Sequence, residues 1–93
     1  MSEANLVRKI VKALKEKYPE DVWWKIHGGP YQERGIPDIL GCHRGRFIGL
    51  EVKLPGSKKG LTKYQERQLH LIHEAGGYAT SVTSVKEALQ KIT

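Results

Sequence analysis

Residues 35–53 read GIPDILGCHRGRFIGLEVK, two short apolar runs separated by Arg44-Gly45. If Arg44 and Gly45 form the loop of a hairpin, His43 faces Arg46 and the pairing continues residue by residue until Asp38 faces Glu51. A four-residue loop keeps that pairing, whereas a three-residue loop shifts it by one. Facing side chains on one side of an antiparallel pair have Cβ atoms roughly 4.5–5.5 Å apart, and like charges there are destabilising. Two carboxylates forced together among Ile, Leu, Val and Phe call for a compensating cation, and a divalent metal is the obvious one. Lys53 lies two residues beyond Glu51 and therefore on the same face.

Outward from this stretch, the hairpin strands are predicted at 38–43 and 46–53. Ile39, Ile48, Leu50 and Val52 share one face, and Leu40, Cys42 and Phe47 the other. Strands apolar on both faces belong at the centre of a sheet covered by helices. Pro37 is acceptable at a strand's first position. Upstream, Leu6, Val7, Ile10, Val11, Leu14 and Tyr18 recur at three- and four-residue steps. They predict an amphipathic helix over 3–18, capped by Ser2 and ended by Pro19. Val22–His27 reads as a strand closed by Gly28-Gly29-Pro30.

Downstream, 54–60 is a basic, turn-rich loop, and a helix runs from about Lys63 to Ala75 before Gly76-Gly77. Tyr78–Val82 is a short strand, and a last helix follows, with Ser84 and Glu87 as its capping box. The order α-β-β-β-α-β-α is that of a mixed sheet with helices packed on it.

Length and composition bound the rest. The 93 residues make one domain, 1–93, with a modest core, so dimerisation is a simple way to add buried area. Sixteen Lys and Arg against ten Asp and Glu give a formal charge of +6, which favours a polyanionic partner. No apolar run reaches the length of a membrane span, and the N-terminus lacks a signal-peptide core. The single Cys42 excludes an internal disulfide; within an apolar strand it reads as a buried, inert thiol. His70 and His73 are three apart on a helix, but no Cys or third His completes a zinc site, so they read as solvated helix-face residues. No phosphate-binding P-loop, serine elbow or CxxC pair is present.

The candidate chemistry centres on Asp38, Glu51 and Lys53. Mg²⁺ takes oxygen ligands, usually one or two carboxylates with waters and phosphate oxygens, and the Val52 carbonyl lies between the two charged residues. The bland alternative is a surface ion pair on an open sheet face. Two accounts also fit Glu3: an acidic residue favouring the dipole of the first helix, or a third carboxylate aimed at the metal from that helix's buried side. Gln65 is equally divided. Thr62-x-x-Gln65 is a capping box, yet Gln65 shares a helical face with Leu69 and Ile72 and stands at the core's edge. Lys58, Lys59 and Lys63 are candidates for phosphate contact or simply for solvating their loop, Tyr31 and Arg34 for a lid or for stacking on a base, and Lys25 is a further candidate contact to a polyanion.

Gly35-x-Pro37-Asp38, then Glu51-Val52-Lys53, then Gln65 on the next helix resembles the PD-(D/E)xK nuclease superfamily, and more narrowly the VRR-NUC domain. The resemblance runs from Glu3 to about Leu89. It implies the restriction-endonuclease-like α/β fold. It implies Asp38, Glu51 and the Val52 carbonyl as ligands of Mg²⁺ or Mn²⁺, with Glu3 near the metal, Lys53 as catalytic lysine and Gln65 as the helix-borne site residue.

The chain carries no appended domain, so it resembles the short stand-alone type of phages and bacteria. That type is similar to Holliday-junction resolvases, homodimers that cut structured DNA. The expectation is therefore a metal-dependent endonuclease on branched or four-way DNA, a homodimer without small-molecule cofactor or membrane attachment, in the cytoplasm of a bacterium or phage-infected cell. The rivals are a monomeric nicking or flap nuclease, and a basic DNA-binding module without catalysis.

Overall fold

Seven elements follow one another in the predicted order: α1 (Glu3–Lys17), β1 (Val22–Lys25), β2 (Ile39–His43), β3 (Arg46–Val52), α2 (Lys63–Glu74), β4 (Tyr78–Val82) and α3 (Val85–Lys91). They are those of a computed structural model covering residues 1–93. The sheet order is β1-β2-β3-β4. The first three strands are antiparallel, and β4 returns through α2 to lie parallel to β3, a mixed α/β sheet flanked by helices.

The hairpin has the two-residue loop. Ile39 faces Leu50 and His43 faces Arg46, so the register of the sequence reading holds along the strands. Arg44 and Gly45 take φ of 52° and 80°, the positive values of a type I′ turn, whose twist matches the strands it joins. At the same end of the sheet Asp21 accepts a 2.5 Å hydrogen bond from His43 Nδ1, and the edge of the Tyr18 ring meets the imidazole. This buried cluster ties the end of α1 to the hairpin.

Each helix begins at a side-chain cap. Ser2 accepts from the Asn5 N–H, Thr62 from Gln65 and Ser84 from Glu87. The box at α3 differs from the prediction in one half. The Glu87 carboxylate accepts from the Thr83 N–H at 2.6 Å, one residue outside the expected partner. That contact holds its pKa below the ordinary value.

The two faces of the sheet fare differently. On one, Trp23, Ile39, Ile48, Leu50, Val52 and Val82 meet Leu6, Val7, Ile10, Val11 and Leu14 of α1, Ala88 of α3 and Ile92 at its C-cap in a single apolar core. The other face is covered only over β3 and β4, where Ile72 of α2 lies against Gly49. The expectation of helices on both faces is therefore met on one and a half. Val22, Trp24 and Phe47 remain exposed, and Cys42 is half-buried rather than fully buried. The cause is length: α2 spans twelve residues, about 18 Å, and no further helix remains for the β1–β2 side.

His73 is exposed, in keeping with its reading as a helix-face residue, but it also makes a specific contact. Its Nε2 lies 2.7 Å from the Ala79 carbonyl and pins α2 to β4. No helix is long and apolar enough to cross a membrane.

Candidate active site

On the half-open face, at the end of the sheet opposite the hairpin turn, the charged residues of the opening stretch converge. Continuing the β2–β3 register by one step sets Asp38 opposite Glu51. Since the pairs flanking a two-residue loop exchange both hydrogen bonds and alternate thereafter, Asp38 and Glu51 fall at a non-bonded position, where side chains approach most closely. Asp38 is fixed there by its backbone carbonyl, which accepts from the Ile26 N–H at 2.8 Å. Its Oδ2 accepts from the Val52 N–H, also at 2.8 Å.

The next step of the register puts Pro37 across from Val52. Proline has no N–H, so β2 offers the Val52 carbonyl no ladder donor. The N–H of a strand residue points to the same side as its carbonyl. The Val52 carbonyl is thus directed toward the Asp38 side and free to meet a ligand.

Glu51 is only 3% exposed. Gln65 Nε2 donates to its Oε2 at 3.2 Å, and the Lys53 ammonium stands 3.9 Å from the same oxygen. Burial pushes the Glu51 carboxyl from its ordinary 4.5 up to about 8. The Asp38 carboxylate adds to the rise by like charge and by accepting the hydrogen bond of the protonated form. Lys53 pulls the other way, and the charge of Glu3 raises it further.

The sign of the resulting pH dependence follows. In the unfolded chain Glu51 loses its proton near 4.5, whereas in the fold it keeps it to about 8. Its contribution to stability is complete below the lower value, declines between the two and is gone above the higher. In thermal unfolding without metal, the wild-type midpoint is therefore expected to fall relative to Glu51→Gln across that window. Parallel curves for the two proteins would refute the shift.

Gln65 makes both the cap contact and a contact to Glu51. Its Oε1 accepts from the Thr62 N–H at 3.0 Å, completing the capping box, and its Nε2 reaches Glu51. The two contacts together fix the amide's orientation. Glu3 is exposed, not on the buried side; its charge nonetheless reaches Glu51. No three carboxylate, imidazole or thiol groups converge anywhere, so Asp38 and Glu51 stand as a pair. The oxygens able to hold a hard cation are these two carboxylates and the Val52 carbonyl.

The more distant candidates are dispersed. Arg34 stacks on Tyr64 and donates to its hydroxyl at 3.2 Å. Tyr31 is fully exposed, and Lys58, Lys59 and Lys63 line the exposed approach to α2. Lys25 lies on the sheet's other face, beside α1.

Two positioning roles escaped the sequence reading. Gln68, buried on α2, donates to the Arg34 carbonyl at 3.3 Å and holds the loop that delivers Asp38. Gly35, at φ 84°, lies directly against the backbone of Tyr64 and Gln65. A Gln inside an apolar helical stripe was a readable signal for the first. Nothing local marked the partner of the second.

No family model matches the sequence, and no curated protein matches it. Among solved structures the fold recurs in a "VRR_NUC domain", with a TM-score of 0.65, 24% identity and 91% of each chain covered. It recurs also in a "VRR_NUC domain protein", with a TM-score of 0.75 and 14% identity, covering 99% of this chain and 85% of the other. At such identities the likeness is one of fold: the four-stranded mixed sheet and its helices are those of VRR_NUC domains.

Proposed function

We propose that this chain, which has the fold of VRR_NUC domains, is a metal-dependent nuclease that hydrolyses phosphodiester bonds in DNA at the Asp38–Glu51–Lys53 cluster. The observation that carries the reading is the pair of carboxylates facing each other on a buried sheet position, with the Val52 carbonyl beside them lacking a ladder partner. Left to itself this arrangement keeps a proton that a carboxylate at neutral pH would lose. Mg²⁺ or Mn²⁺ would take the proton's place, held by Asp38, Glu51 and the Val52 carbonyl. When bound, such an ion polarises a phosphodiester and acidifies a water.

The chain's own residues supply the remaining parts. Lys53, 17% exposed at its side chain, presents its ammonium beside Glu51, where it can orient an attacking water and offset charge building on the phosphate oxygens. Gln65 holds the Glu51 carboxylate in place through Nε2 while anchored at its other end by the cap. Glu51 is buried, and there these charges act more strongly than in water.

The finer reading is a homodimer acting on branched DNA in a resolvase-like way. Its support is the uncovered half of the sheet. Val22, Trp24 and Phe47, 45%, 54% and 43% exposed, share one face with the catalytic cluster, and Leu71 of α2 is 43% exposed. Exposed aromatic patches of this kind mark association surfaces. Two copies related by a two-fold axis would present two equivalent sites to two equivalent strands.

Cleavage of four-way, flap and linear duplex DNA with Mg²⁺ and with Mn²⁺ tests the whole reading. Paired symmetric cuts in the junction are expected. Cutting confined to flaps would favour a monomeric nuclease, and metal-independent binding without any cut a DNA-binding module. Light scattering is expected to show a dimer that Trp24→Glu converts to monomer. An unaltered mass in that variant would remove the surface from consideration.

A further inference from the structure

The largest cavity of the molecule is not the catalytic cluster. A groove of about 460 Å³ runs between α1 and the edge strand β1, lined by Arg8, Val11, Lys12, Lys15, Glu16 and Lys25. Arg8, Lys12 and Lys15 lie at i, i+4 and i+7 of α1 and so form one row on the helix. Lys25 belongs to the other wall. None of the four cations takes part in an ion pair, and the hydrogen bond that Arg8 makes is to the neutral Asn5 amide, which orients the guanidinium without offsetting its charge. Glu16 is the groove's single anion.

Four cations converging on an open trough repel one another, and only Lys15, in the last turn of α1, has a local reason to be there. The row from Arg8 to Lys15 spans about 10 Å at 1.5 Å per residue. One strand of DNA carries a charge about every 3.4 Å along its axis, so the row matches roughly three successive phosphates. A single compact anion would be gripped by one end of the row only. The position is also apt. Lys25 precedes Ile26, whose N–H bonds the Asp38 carbonyl, and α1 begins at Glu3, whose charge reaches Glu51. The trough thus starts at the catalytic end of the sheet, around the β1 edge on the opposite face from the cluster, and leads away from it along α1.

We infer that the α1–β1 groove is a phosphodiester-backbone track, binding without sequence preference one strand of the nucleic acid whose scissile bond lies at the catalytic cluster. The inference rests on the nuclease reading for its choice of partner, but its test does not require cleavage.

Binding of a labelled DNA duplex is measured by anisotropy in EDTA over about 50 to 200 mM salt for wild type and for Arg8→Gln/Lys12→Gln/Lys15→Gln. A second triple variant, Lys9→Gln/Lys17→Gln/Lys86→Gln, removes the same charge from exposed positions outside the groove. The groove variant is expected to lose between two and three from the salt slope, about 0.9 for each phosphate contact, and to bind at least about ten-fold more weakly. The control variant is expected to keep nearly the wild-type slope.

Equal losses in the two variants would mean that net charge alone attracts DNA, and would overturn the track. Inorganic triphosphate serves as a second probe. If it binds wild type as tightly as DNA and loses that binding in the groove variant, the groove is a polyphosphate pocket and the track falls. A wild-type protein that cleaves DNA while its groove variant binds normally would overturn the track alone. A protein that binds through the groove but never cleaves would overturn only the nuclease reading.

Discussion

Asp38→Asn is expected to yield a folded protein that cuts DNA at least about 10³-fold more slowly than wild type. Asparagine is chosen because the structure separates two duties of this side chain. Its oxygen accepts from the Val52 N–H, and an amide oxygen continues to do so. Its negative charge faces Glu51, and that the amide removes.

Glu51→Gln and Lys53→Met are expected to lose activity to a similar degree for different reasons, which a second measurement separates. Thermal stabilisation by added Mn²⁺ should vanish in Asp38→Asn and Glu51→Gln, because each removes an anionic ligand. It should persist in Lys53→Met, because the ammonium repels the ion rather than holding it. Cleavage at the wild-type rate by Asp38→Asn would exclude this cluster as the site. Mn²⁺ stabilisation lost equally in all three would mean that Lys53 organises the carboxylates rather than acting on the substrate.

The legibility of this cluster in the sequence has a simple cause. Strand periodicity and a short loop are local, and together they determine which side chains face each other across a hairpin. Asp38, Glu51 and Lys53 all lie within that reach, so their meeting follows from register alone. The core of α1 was legible for the same reason, from spacing along one helix. What escaped depends on which element passes over which. That α2 covers Gly49 and leaves Trp24 bare cannot be read from either segment, since both strands carry apolar residues on that face. The second duty of Gln65 was half visible, because a capping box uses only one end of its amide. The half-burial of Cys42 and the bond from His73 to Ala79 were hidden likewise, each set by a packing partner distant in the chain or by the absence of one.

Gly35 is the sharpest such case, and its replacement carries the second large expected effect. A Cβ at this position would stand 2.2 Å from the Tyr64 carbonyl oxygen, 2.3 Å from its carbon and 2.7 Å from the Gln65 nitrogen. These are backbone atoms of the first turn of α2, which no rotamer change can move aside. The residue is also held at φ 84°, where an L-side chain costs about 1–2 kcal/mol. Overpacking adds roughly 1–3 kcal/mol. Gly35→Ala is therefore expected to destabilise the protein by about 3 kcal/mol and to lower its melting temperature by more than about 10 °C.

Where the fold survives, the first turn of α2 must retreat by the better part of an ångström. Gln65 Nε2 then leaves Glu51, and a misplacement of this size costs about 10²-fold in rate. Asn tolerates positive φ but brings the same Cβ. If close approach is the main constraint, Gly35→Asn should be nearly as damaging as Gly35→Ala. If Asn instead restores most of the stability, backbone conformation alone explains the glycine, and the seating of Gln65 on the site does not depend on the missing side chain.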